Sequence, residues 1–345
     1  MAWIMHDAAG VTYNLLCSTG AQAMFRLKET LKHAGWTVLS SGDGTTYWAG
    51  ADGITLEGSG AGGMNNNSAW FRITDPGAVR ELVFQRGANH YTWTLQYSRL
   101  DKFVGGAPNA TTIPTATDMV GWRSGGSSAS GALFNTTAGT SWRVNIAVQT
   151  AAEGNVYAFW MAWRDTLALD GRGLLFCDAL DNTLTPAADD DQSIWFSHFI
   201  TTGQSVYIGS VSTSVGMSSE DASANSFVAF SWQMYNEASQ EWNRTICCSY
   251  AYYTSAGGLS NIAPGPWISV NPETNKYALL PLFWVKLRST VVGYRGMGKY
   301  LRYNPRNDNL KWGDIISDSV TSEMYFIAND TALPGWPDAS IQVVS

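Results

Sequence analysis

Residues 68 to 98 read SAWFRITDPGAVRELVFQRGANHYTWTLQYS. Near the end, Tyr91, Trp93, Leu95 and Tyr97 alternate with Thr92, Thr94, Gln96 and Ser98. A period of two is the signature of a strand with one apolar and one polar face. Two β-rich runs precede it, SAWFRIT and RELVFQR, separated by the breakers DPGAV and GAN. Pro presets one backbone angle, and Gly and Asn tolerate others that tight reversals need. The stretch therefore predicts a three-strand antiparallel meander. Its aromatic face has three candidate covers: the domain's own core, a stacked sugar, or another subunit.

Upstream, TGAQAMFRLKETLKHAG (residues 19–35) predicts one amphipathic helix. Thr19 and Gln22 have capping-box spacing, Met24, Leu27, Leu31 and Ala34 recur at helical spacing, and Gly35 is a natural stop. A strand-like WTVLS follows at 36–40. Gly58, Gly60 and Gly63 match G-x-G-x-x-G, but MNNNS follows them. A dinucleotide site needs a helix N-terminus at that point, so the segment is expected to be a loop.

Downstream, residues 104–131 are rich in Gly, Ser, Thr and Pro and are expected to form a surface loop. SWRVNIAVQ places Trp142, Val144, Ile146 and Val148 on one strand face. VYAFWMAWRD is apolar on both faces, as central buried strands are, and SIWFSHFI is read the same way. SFVAFSWQMYN and WNRTICCSYAYY predict a hairpin. The expected fold is mainly β, an antiparallel β-sandwich or jelly-roll-like architecture with one N-terminal amphipathic helix. Residues 1–63 are expected to hold the helix with strands and 64–345 a large antiparallel β domain, with continuity into one domain as the other reading.

Composition narrows the function classes. The chain has 345 residues with 45% hydrophobic and 14% charged residues, 16 Trp and 34 Gly. A surface so poor in charge relies on Ser, Thr, Asn and Gly, and suits packing against copies or neighbours. The net charge of −7 argues against general nucleic-acid binding, which needs a basic field. No apolar run approaches the roughly 20 residues of a membrane-spanning helix, so no membrane role is expected. The start, MAWIMHDAAG, lacks the pattern of an export leader. Cys17, Cys177, Cys247 and Cys248 do not form a disulfide framework, which fits synthesis in a reducing cytoplasm.

Catalytic, cofactor and metal residues are not indicated. His6, His33, His90 and His198 stand apart from other ligand types. Asp189, Asp190 and Asp191 lack the alternating spacing of a Ca²⁺ loop and read as a solvated acidic turn. Two stretches stand out instead as candidate partner interfaces. In the first, Arg72, Arg80, Arg86 and Arg99 interleave with aromatic residues that include Trp93. Arg with aromatics is the composition of interface centres; the competing reading is that Arg stems cover apolar strand surface. In the second, Arg295, Lys299, Arg302 and Arg306 interleave with Tyr294, Tyr300 and Tyr303. In an acidic chain this favours contact with an acidic neighbour over single-stranded nucleic acid.

These same residues carry a resemblance. AWFRITDPGAVRELVFQRG, WTLQYSR, GYRGMGKYLRY and a closing LPGWP resemble blocks of structural proteins from the virions of tailed bacteriophages. The family pattern has Gly at the second position after Asp-Pro, where this chain has Ala78. The resemblance implies a virion subunit of the tail or baseplate, or a head decoration protein. It would be made in the host bacterial cytoplasm, form a homo-oligomer and contact other virion proteins; no catalytic residues are carried over. A carbohydrate-binding host-recognition module is the alternative, with Trp93, Tyr97, Trp242, Tyr250 and Tyr252 as stacking platforms for a glycan receptor. A glycan-degrading enzyme would need two carboxylates across a groove, which spacing alone does not supply.

Overall fold

A computed structural model describes residues 3–5, 15–66, 68–86, 92–98, 134–135, 141–154, 156–165, 172–181, 193–200, 207–208, 232–236, 241–245, 280–288, 291–304, 313–317, 322–327 and 338–344. The expected loop at 104–131, the acidic turn at 189–191, and Arg99 and Arg306 lie outside them. The described part is mainly β, in antiparallel sheets, with one helix.

The chain divides into two compact units. One comprises Ala2–Cys177 with Ala188–Ser223; the other comprises Met1, Asp178–Ala187 and Ala224–Ser345. The helix packs on strands that lie both before and after residue 63.

The first unit begins with β1 (Trp3–Met5) and β2 (Leu15–Cys17). Next comes α1 (Gly20–His33), whose ends are set locally. Thr19 Oγ1 accepts from the Gln22 N–H at 3.1 Å, as the spacing predicts. Gln22 Oε1 reaches one residue further back than a standard capping box and accepts from the N–H of Ser18 at 2.7 Å. At the other end the N–H groups of Gly35 and Trp36 donate to the carbonyls of Lys32 and Leu31. This is a Schellman stop, and it needs the positive φ of 94° at Gly35. Met24, Leu27 and Leu31 are fully buried, so the apolar stripe is the packed face.

After the helix come β3 (Thr37–Gly42), β4 (Tyr47–Ala49), β5 (Trp70–Thr74), β6 (Glu81–Arg86), β7 (Thr92–Ser98) and β8 (Phe134–Asn135). They form one sheet in the order β4-β3-β5-β6-β7-β8. Its centre, β5-β6-β7, is the predicted meander, antiparallel throughout. β9 (Trp142–Gln149), β10 (Phe159–Asp165), β11 (Arg172–Asp181, of which Asp178 onward is counted with the second unit), β12 (Ser193–Ile200) and β13 (Tyr207–Ile208) follow. β1 and β2 both pair with β9, and β10 lies between β9 and β11. Phe159, Trp160, Met161, Ala162 and Trp163 are all fully buried, so this strand is apolar on both faces, as its sequence predicts. α1 packs against β9 and β7. Trp36, just after the helix, meets Phe159 of β10 edge-on at 5.8 Å.

The second unit contains β14 (Trp232–Asn236), β15 (Glu241–Thr245), β16 (Leu280–Arg288), β17 (Val291–Asn304), β18 (Ile315–Ser317), β19 (Met324–Ile327) and β20 (Asp338–Val344). β14 and β15 form the predicted hairpin, with Tyr235 opposite Trp242. The basic stretch is itself a strand: β17 pairs with β16 on one side and β20 on another.

One turn carries a measurable backbone strain. Between β5 and β6, Ala78 has φ of 52°, in the left-handed region. An L-residue there costs roughly 1–2 kcal/mol, while glycine's extra chain entropy costs about 0.5–1 kcal/mol. Ala78→Gly is therefore expected to stabilise the unit by about 0.5–1 kcal/mol, read as a higher Tm in thermal unfolding. A lower Tm would show that the turn does not need the left-handed conformation.

Candidate functional site

The meander's arginines are separated by the pleat. Phe71 lies opposite Phe84, and their rings stack at 4.9 Å. Arg86 has the parity of Phe84, and its cross-strand partner in β7 is Trp93. Arg72 lies opposite Val83, on the other face. Two of the nominated residues, Arg86 and Trp93, are thus cross-strand partners in register, while Arg72 is on the opposite face from Arg86.

Burial divides the arginines further. Arg80 and Arg86 are 2% and 7% exposed, enclosed within the strand surface. Burial lowers the affinity of the Arg86 guanidinium for its proton. One of its N–H groups donates to the Asn65 carbonyl, tying β6 to the loop before β5. Arg72 remains half-buried and donates from Nε to Glu81 Oε2 at 2.8 Å. That contact is diagonal across β5 and β6, and Glu81 is itself buried.

In the second unit the candidate residues occupy distinctive register positions. Trp284 pairs with Gly296 and Val285 with Tyr294, which leaves Arg295 as the extra residue of a bulge. Bulges twist a strand and re-aim the residues beside them. Arg302 lies opposite Pro281 on one side and Ser340 on the other. Lys299 is half-buried, with its ammonium 5.9 Å from the centre of the Tyr300 ring. The basic character of this stretch therefore belongs to a paired strand.

Two polar centres went unnoticed in the sequence. The first is Asp43, 1% exposed at the end of β3. Its Oδ1 accepts from the N–H groups of Thr45 and Thr46 and from the Thr45 hydroxyl, at 2.7–2.9 Å. Its Oδ2 accepts from the Gly62 N–H at 2.9 Å and from Asn66 Nδ2 at 3.4 Å. Burial pushes this carboxyl up, but the N–H groups of Gly62, Thr46 and Thr45 outweigh it and hold the pKa at about 2. Asp43 thereby folds the glycine-rich segment against the sheet. That segment is a loop, as expected, and Gly63 sits where a Cβ would lie 2.4 Å from the Gly58 carbonyl oxygen.

The second centre is on α1. Lys28 is completely buried, and its ammonium donates to Asp52 Oδ2 at 2.5 Å, Glu29 Oε1 at 2.6 Å and the Ile54 carbonyl at 2.7 Å. Its Nζ lies 4.9 Å from the centre of the Phe25 ring. Lys32 donates to the same Asp52 oxygen at 2.7 Å and to Glu29 at 3.3 Å. Burial draws the Lys32 pKa down, but its bonds and charge interactions with Asp52 and Glu29 more than offset this, leaving it raised. Cys17, on β2, is buried, which pushes its thiol up to about 12 against the opposing pull of Arg26. No group of three or more potential metal ligands occurs among the described residues. No described helix is long and apolar enough to cross a membrane.

No known family model matches the chain, and no curated protein matches it.

Proposed function

We propose that the chain is a structural subunit of a tailed-bacteriophage virion, of the tail or baseplate, acting through contacts with other virion proteins and with copies of itself. A two-sheet sandwich or jelly-roll in the first unit is part of this reading. The edge-on contact of Trp36 with Phe159 supports it, because it joins the start of one sheet to the centre of another.

The observation that carries the proposal is where the residues of the resemblance lie. Ala69, Trp70, Asp75, Arg80, Glu81, Phe84 and Arg86 are all buried. Asp75 caps its own turn, with its carboxylate accepting from the N–H groups of Val79 and Arg80 at 3.0 and 2.9 Å. These blocks form a buried sheet and its turn, a framework rather than an exposed reactive site. Low charge and the basic strand β17 add surfaces suited to a neighbouring subunit.

The test is immunogold labelling of particles from lysed host cultures with an antibody to this chain. Gold at a fixed place on tail or baseplate is expected. Gold on the head would move the subunit there. Unlabelled particles, with the protein free in the lysate, would overturn the virion reading and bring glycan recognition forward.

A further inference from the structure

The Lys28 cluster holds one amine in direct contact with two carboxylates, away from water. We propose that Lys28 and Asp52 condense into an intrachain isopeptide bond, joining α1 to the segment after β4. An amine and a carboxylate rarely condense in water, because the ammonium has no free lone pair, the carboxylate is a poor electrophile and excess water favours hydrolysis. Here the Lys28 side chain is fully buried, the Asp52 side chain is 14% exposed, and Nζ is 2.5 Å from Oδ2. Fixed proximity of reacting groups is worth effective molarities on the order of 10⁵–10⁸ M.

The neighbours supply what the step needs. Glu29 Oε1, 2.6 Å from Lys28 Nζ, takes a proton from the ammonium and frees its lone pair. Nζ then attacks Asp52 Cγ. The Lys32 ammonium, 2.7 Å from Asp52 Oδ2, and the Ile54 N–H, 3.2 Å from Oδ1, stabilise the oxygens of the tetrahedral intermediate. Glu29 returns its proton to the departing oxygen, and a second proton leaves nitrogen for the same oxygen. The C–O bond breaks, one water departs, and the ammonium and carboxylate become one neutral amide. No oxidant or cofactor is required.

The remaining charges favour this outcome. The cluster holds two ammonium groups and two carboxylates; bonding Lys28 to Asp52 leaves Lys32 facing Glu29 at 3.3 Å. The interior loses a buried ion pair, with its desolvation cost, and retains a half-exposed one. A competing condensation at Asp52, ring closure onto the N–H of Gly53, is restrained because that N–H donates to Ser41 Oγ at 2.8 Å.

The experiment is the intact mass of the purified full chain, denatured, followed by tryptic peptide sequencing. The expected mass is one water below that of the sequence. The expected tryptic species is branched and gives two N-terminal sequences, one starting at Leu27 and one at His33. Lys28→Arg, which keeps the charge without the amine, is expected to restore the full mass. The wild-type chain at full mass would overturn the proposal. So would a water loss that persists in Lys28→Arg, or one with no branched peptide, which marks a cyclic imide at Asp52-Gly53.

Discussion

Trp70→Ala is expected to destabilise the first unit by about 3–5 kcal/mol, the range for emptying a large buried aromatic site. Trp70 is fully buried on β5, stacked on Tyr47 at 6.0 Å, and its indole fills the space above Gly42. A Cβ on Gly42 would lie 2.5 Å from Nε1, so the strand opposite has been cleared for this ring. The neighbouring backbone is held in two ladders, to β3 and β6, and has little freedom to collapse into the void. Thermal unfolding should show a drop in Tm of roughly 10 °C. Trp70→Phe should cost much less. It keeps most of the apolar contact and removes an indole N–H that has no hydrogen-bond partner among the described residues. Equal losses in the two variants would mean that shape at this site matters less than the indole itself.

Asp43→Asn is expected to cost about 3 kcal/mol at neutral pH and to remove part of the acid sensitivity of the fold. An amide matches the carboxylate in shape, but its NH₂ group must face either Gly62 or the Thr45 and Thr46 N–H groups, all donors. The pH dependence has a definite sign. Asp43 has its pKa lowered from 3.8 to about 2 in the folded chain. The unfolded chain therefore binds the proton first as the pH falls. The stabilisation is full above about pH 5 and is lost as the pH drops toward 2, with a total on the order of 2 kcal/mol. Urea unfolding of wild type and variant at several pH values checks this. The gap between them should narrow toward pH 2; a constant gap would place the acid sensitivity on other groups.

Both predictions rest on residues that differ in how visible they were beforehand. Trp70 belongs to SAWFRIT, an aromatic and β-branched run that reads as a strand, and a large aromatic there signals burial. Asp43 sits in SGDGTT, which reads as a turn, and nothing local reveals that its carboxylate reaches Gly62, 19 residues away. Lys28 was equally hidden. It lies beside the apolar stripe of α1, a place where lysine ordinarily extends its ammonium to water. Its burial is made tolerable by Glu29 beside it together with Asp52 and the Ile54 carbonyl, which come from a segment beyond β4. The arginines show the same limit from another direction. Alternation places Arg86 with Phe84 and Arg72 with Val83, but does not reveal that Arg86 is enclosed and Arg72 half-open.

The sequence by itself determined the features whose causes lie within a few residues. Thr19 and Gln22 start the helix and Gly35 stops it, because capping bonds close over three to five residues. Asp75 and Pro76 reverse the chain between β5 and β6, and the period of two then sets the meander's pairing. Tertiary structure decided what covers each face and which charges are enclosed. Those outcomes depend on groups brought together from distant positions, where desolvation and hydrogen bonding are settled jointly. The buried network of Lys28, Glu29 and Asp52 exists only because the segment after β4 folds back over the helix, and no residue of that network announces it alone.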